Sequence, residues 1–176
     1  MISDNTEGLS VCDLSGKLLE TIVLEKEVSP TQIKEKKHKS DYEACTILSI
    51  ENNDYLLLVG SGSKKENRNK AKLISFSDNN KLQNFDLDEF YDYLRTQNEI
   101  ELSEFNVEAL AYYDNKLYFF NRGTNEIFVV KKSAFFDFLK RKKTEIQIKK
   151  YKMEIEFMKT ISSCDDSCED ASFFCE

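Results

Sequence analysis

The sequence predicts an all-β chain with short helical insertions, in which four-stranded antiparallel meanders repeat along 176 residues. Three observations carry this. An acid followed by Ala and a strand-like run occurs at Glu43, at Glu108 and, more faintly, at Asp170, with spacings of 65 and then 62 residues. Between the copies, short aromatic and β-branched runs alternate with turns rich in Asn, Asp and Gly, as hairpins do. The balance of 13 Phe and 8 Tyr with no Trp favours strands and opposes disorder.

Gly8–Cys12 and Leu18–Leu24 read as two strands joined at Asp13–Gly16, so the chain opens inside a hairpin. Pro30 then begins a polar, basic stretch that holds His38, the sole histidine. A lone histidine among lysines has neither a ligand set nor a catalytic partner. The first full unit follows with strands Cys45–Ile50, Tyr55–Val59 and Ala71–Phe76. Asp86–Leu94 has apolar residues at 87, 90, 91 and 94, the spacing of one helical face, and acids in its first turn. Ile100–Phe105 alternates apolar and polar residues and reads as a fourth strand.

The second unit repeats the order. Its strands are Leu110–Tyr113, Leu117–Phe120 and Glu126–Val130, its helix runs from an N-cap at Ser133 to about Lys143, and Thr144–Ile148 closes it. Tyr151–Phe157 is one more alternating run. Each unit is thus read as three short strands, a short helix and a fourth strand.

A small sheet with apolar residues on both faces must stack on a neighbour, and long-period repeats of such sheets signal a propeller or solenoid. The expected architecture is therefore a partial β-propeller of about three blades in a single domain. Residues 1–40 form an incomplete first blade, 41–105 a second, 106–168 a third, and 169–176 open the next. An acid at the same point of every inner strand then belongs to a ring around the channel. Glu43, Glu108 and Asp170 are the candidates for that ring. Like charges so placed repel one another unless a cation or a function offsets the repulsion.

The order of signals, ISDNTEGL, DYEA, GSGS with an arginine following, NVEAL and NRG, resembles an uncharacterised family of bacterial propeller-like proteins. It is more distantly similar to phytase-like and esterase-like propellers. The resemblance implies a six-bladed propeller and points to Glu43, Ser61, Gly62, Ser63, Arg68, Asn106, Glu108, Asn121, Arg122 and Asp170 as ligand-binding positions. The chain departs from it in length, which supplies about three blades, and in the tail Ser163–Asp170, whose acids and cysteines follow the pattern poorly. An incomplete propeller also leaves blade edges and apolar faces open, so self-association is expected.

Two functions fit these residues. One is a binding or scaffold propeller that takes a small anionic ligand or a protein partner at the channel mouth. Gly60–Ser63 would offer backbone N–H groups, and Arg68 and Arg122 would offer charge. The other is a hydrolase similar to the phytase-like group, in which acids hold a divalent cation. Oxygen ligands of that kind select calcium or magnesium over zinc. No other cofactor is expected.

The formal net charge of −7 opposes nucleic acid as a partner. No run of about 18 to 20 apolar residues spans a membrane, and no signal peptide is evident, so the expected location is cytoplasmic. The cysteines at 12, 45, 164, 168 and 175 fit reduced thiols, those at 12 and 45 as buried ones. Cys164 and Cys168 lack the spacing and company of a zinc knuckle. Classical triad chemistry is not expected, since no Ser or Cys has a histidine partner that the sequence locates.

Overall fold

The computed structural model describes residues 8–24, 40–64, 67–142 and 144–153. Strands β1 (Gly8–Cys12) and β2 (Leu18–Val23) pair as an antiparallel hairpin. β3 (Tyr42–Ile50), β4 (Asn53–Gly60), β5 (Lys70–Ser75) and β6 (Leu82–Asp86) form a four-stranded sheet in chain order. β7 (Val107–Tyr113), β8 (Lys116–Asn121), β9 (Glu126–Lys131) and β10 (Ile148–Lys152) form a second sheet with the same order. All these pairings are antiparallel, so each sheet is a meander. Helix α1 (Asp88–Asn98) follows the first sheet, and α2 (Lys132–Leu139) lies between β9 and β10.

Local chemistry explains the hairpins. β3 and β4 turn at Glu51 and Asn52, with φ of 48° and 62°, and β7 and β8 turn at Asp114 and Asn115, with 48° and 57°. Two consecutive positive φ values make the tight turn whose twist matches the flanking strands, and Asn and Asp tolerate it best.

The apolar run Leu56–Val59 is continuous because the first sheet is covered on both faces. One face joins a large core in which Leu57 and Val59 meet Leu110 and Phe119 of the second sheet, Phe90 and Leu94 of α1, and Phe135 of α2. Its opposite face places Leu58 and Ile74 against Leu9, Ile22 and Leu24 of the N-terminal hairpin. Phe90 is the aromatic hub, with ring centroids 5.0 Å from Phe135 and 5.4 Å from Phe119. Burying rings of this size supplies much of the drive for the stack.

Several boundaries differ from the sequence reading. The fourth strand of the first sheet is Leu82–Asp86, ahead of α1, whereas 100–105 contains only a turn of 3-10 helix at Leu102–Glu104. Ile100 and Phe105 are buried from irregular backbone, which imitates strand alternation. β6 is polar on its open side and so carries a weak signal. The Asp86 carboxylate accepts from Asp88 N at 2.7 Å and starts α1 two residues later than the acids indicated. Ser133 does not cap α2, which begins at Lys132. β10 begins at Ile148 and continues into the run expected to follow it. Cys45 is exposed rather than buried, because the exposed positions of β3 include its side of the strand. No helix among the described residues is long and apolar enough to cross a membrane.

Candidate functional site

The repeated acids occupy one structural position. In β3 the pairing with β4 runs Tyr42–Gly60, then Ala44–Val59, and the register slips at Glu43. In β7 it runs Val107–Asn121, then Ala109–Phe120, and slips at Glu108. A bulge of this kind leaves one residue unpaired and re-aims its side chain, which is why bulges recur beside binding sites. The residues just before the strands correspond as well. Asp41 O accepts from Ser61 N at 3.0 Å, and Asn106 O accepts from Arg122 N at 2.9 Å. The two units meet directly here, because Val107 N donates to Ser61 O at 2.8 Å.

Around the first bulge the polar groups satisfy one another. Asp41, at φ 52°, is 8% exposed and pairs with Arg68 at 2.7 Å. Ser61 Oγ donates to the same carboxylate at 2.7 Å, and Arg68 also donates to Ser63 Oγ at 2.7 Å. A buried pair is stable only when such added hydrogen bonds complete it.

The Gly-Ser loop is therefore not the anion cradle its composition indicated. Ser61 N donates to Asp41 O and Gly62 N to Arg68 O, while Ser63 N points to Ser61 Oγ. Gly62 is required for packing: it sits at φ +72°, and a Cβ would lie 2.5 Å from the Phe105 ring and 2.8 Å from Tyr91. Tyr91, fully buried on α1, fixes the loop by donating to Gly60 O at 2.7 Å, and burial pushes its phenol pKa up.

The second bulge is more open. Arg122, 67% exposed, pairs with Glu108 at 2.5 Å. It follows β8, the second strand of its sheet. Asn106 Nδ2 donates to Glu108 Oε1 at 3.1 Å. Asn121, fully buried, accepts from Asn106 N at 2.6 Å and donates to Glu104 O at 3.0 Å and to Thr124 Oγ1 at 2.8 Å. Its role is to hold the β8 turn against the start of β7.

Glu43 joins the two groups. It makes no hydrogen bond or ion pair among the described residues, yet its carboxyl is held above the ordinary carboxylate range. Partial burial is the main cause, and the negative charges of Asp41 and Glu108 add to it against the opposing pull of Arg122 and Arg68. A second polar group is also short of a donor. The Oδ1 of Asn106 is buried with no hydrogen-bond partner among the described residues. Three carboxylates and two guanidiniums thus gather at the ends of neighbouring strands, with one negative charge left over.

A model of DUF6929, a family of unknown function, matches residues 1–163. The chain belongs to this family. No curated protein matches it.

In this DUF6929 chain the structure brings together Glu43, Ser61, Ser63, Arg68, Asn106, Glu108, Asn121 and Arg122, with Gly62 packed beneath them. Asp170 lies outside the described residues. Asp41 is the partner that sequence reasoning missed, although its offset from Asn106 equals that between Glu43 and Glu108. Among the described residues no group of three or more His, Cys, Asp or Glu side chains could hold a metal ion. A separate cleft of about 360 Å³ lies between α1 and α2, walled by Asp88, Glu89 and Arg141 over Phe90 and Phe138. None of the sequence-predicted positions lines it.

Proposed function

We propose that the chain is a propeller-type binding module whose four-stranded units present the ends of β3 and β7 as a ligand-recognition mouth. The observation that carries this reading is Glu43, a carboxylate with no hydrogen-bond or ion-pair partner among the described residues, whose proton affinity is raised by burial and by the neighbouring acids. Such a group is relieved by a proton, a cation or a hydrogen-bond donor.

The charge expected of the ligand changes accordingly. Arg68, the buried basic group counted on for an anion, is occupied by Asp41 and Ser63. Glu43 and the unpaired Asn106 Oδ1 both ask for donors. A small ligand bearing an ammonium, a guanidinium or clustered hydroxyl groups therefore fits better than an anion. Arg122 stands ready at the rim for a second, acidic group on the same ligand.

Thermal shifts of the full chain at constant ionic strength test this with methylammonium, guanidinium, calcium and phosphate as probes. Stabilisation by the organic cations that disappears in Glu43→Gln is expected. Stabilisation by phosphate alone, lost in Arg122→Ala, would restore the anionic reading. A calcium shift lost in Glu43→Gln and Glu108→Gln, together with turnover of phosphate esters, would move the protein to the divalent-metal hydrolases.

A further inference from the structure

The two sheets carry matching rows of side chains. Across the first sheet the register aligns Ala44, Val59, Ala71 and Phe85. This row is covered by the chain that leaves the same sheet. Phe90 and Leu94 of α1, then Val107 and Leu110 of β7, share one buried cluster with Ala44, Val59 and Ala71. Glu108, the acid of the next unit, comes 22 residues after Asp86 closes β6.

The corresponding row of the second sheet is Ala109, Phe120, Ile127 and Tyr151. Beside it the register aligns Ala111, Tyr118, Val129 and Lys149, and beyond them Tyr113, Lys116 and Lys131. None of these residues joins either buried cluster, because the second sheet meets the core through its alternate side chains. Only Val129, between Tyr118 and Lys149 in register, is buried. The face holds three lysines and no acid. Lys116 pairs with Asp114 of the adjoining turn, whereas Lys131 and Lys149 have no ion-pair partner among the described residues.

The sequence that leaves β10 has the complementary composition. Residues 154–176 contain seven acids and one lysine, a net charge of −6 in a chain whose total is −7. They also supply Ile155, Phe157, Met158, Ile161, Phe173 and Phe174. Acid followed by Ala returns there at Asp170, 18 residues after Lys152 closes β10.

We propose that residues 154–176 pack across this outward face of the second sheet, with their acids towards Lys131 and Lys149 and their apolar side chains over Tyr118 and Phe120. The first sheet supplies the precedent, since the chain following its last strand covers the same row, and a repeat buries its apolar face by stacking the next unit on it. Burial of the rings is the drive. Exposed ion pairs add little energy, so the lysines choose the partner more than they hold it.

Carbodiimide cross-linking, which joins carboxylates to amines without a spacer, tests this on an equal mixture of isotope-labelled and unlabelled full chain. Cross-links from Asp165, Asp166, Glu169 or Asp170 to Lys131 or Lys149 are expected, each within one isotopic form. Phe173→Asp combined with Phe174→Asp should raise hydroxyl-radical oxidation of Tyr118 and Phe120 several-fold with unchanged circular dichroism. Cross-links that join only labelled to unlabelled chain would mean that a second copy occupies the face, and they overturn the proposal. Cross-links shared evenly with Lys81, an exposed lysine of the first unit, overturn it too, as does their absence or an oxidation rate that the substitutions leave unchanged.

Discussion

Glu43 and Glu108 stand at the same slipped register position of two neighbouring strands, and the charge of Glu108 adds to the rise in the Glu43 carboxyl. The pairing of two carboxylates at one strand end sets the pH behaviour of the site. The folded protein holds a proton on Glu43 more tightly than the unfolded chain does, so in that window the native state binds more protons. Stability therefore falls as pH rises from about 4.5, the ordinary value of a glutamate carboxyl, through the raised folded value. Glu43→Gln should flatten this slope and be the more stable protein at neutral pH, as read from urea midpoints across pH 4 to 8. A wild-type slope unchanged by the substitution would remove Glu43 as its source.

Arg122 opposes that effect. Its removal in Arg122→Ala should raise the Glu43 pKa further, seen by carbon-detected NMR titration of the side-chain carboxyl. The stability change itself should stay within about 1 kcal/mol, because the Arg122–Glu108 pair is largely exposed.

The Asp41–Arg68 pair should behave differently because Asp41 is buried and Arg68 nearly so. Arg68→Leu leaves the Asp41 carboxylate without its cation and should cost about 3 to 5 kcal/mol. Asp41→Asn combined with Arg68→Leu should recover a large part of the loss, since Asn keeps the positive φ and removes the charge. Chemical denaturation of the two single variants and the double variant measures the coupling.

Gly62→Ala should destabilise by about 2 to 4 kcal/mol, combining positive φ with collision against two core rings. Relief by Phe105→Leu in the same chain would show that the clash, and not the backbone angle, is the larger part.

Phe90→Ala should cost about 3 to 5 kcal/mol, because its ring touches both helices and the second sheet at once. A melting temperature within a few degrees of wild type would mean that α1 is not the keystone of the stack.

The sequence alone marked matching positions in two antiparallel sheets. Stretches rich in Asn and Asp marked the two equivalent hairpin turns, and Glu-Ala at 43 and 108 marked one position in two sheets. These are local signals, set by φ preference and by the side on which a residue falls. Ile100–Phe105 misled for the same reason, since burial at both ends mimics alternation without any ladder.

Only the tertiary structure decided which charges are available. Arg68 and the N–H groups of Ser61–Ser63 looked like an anion site until Asp41, twenty or more residues away, took up the arginine and closed the loop around it. Glu43 looked like one acid among many until Asp41 and Glu108 were brought beside it. Electrostatic availability depends on partners contributed by other strands, and a linear sequence does not state which carboxylate reaches which guanidinium first.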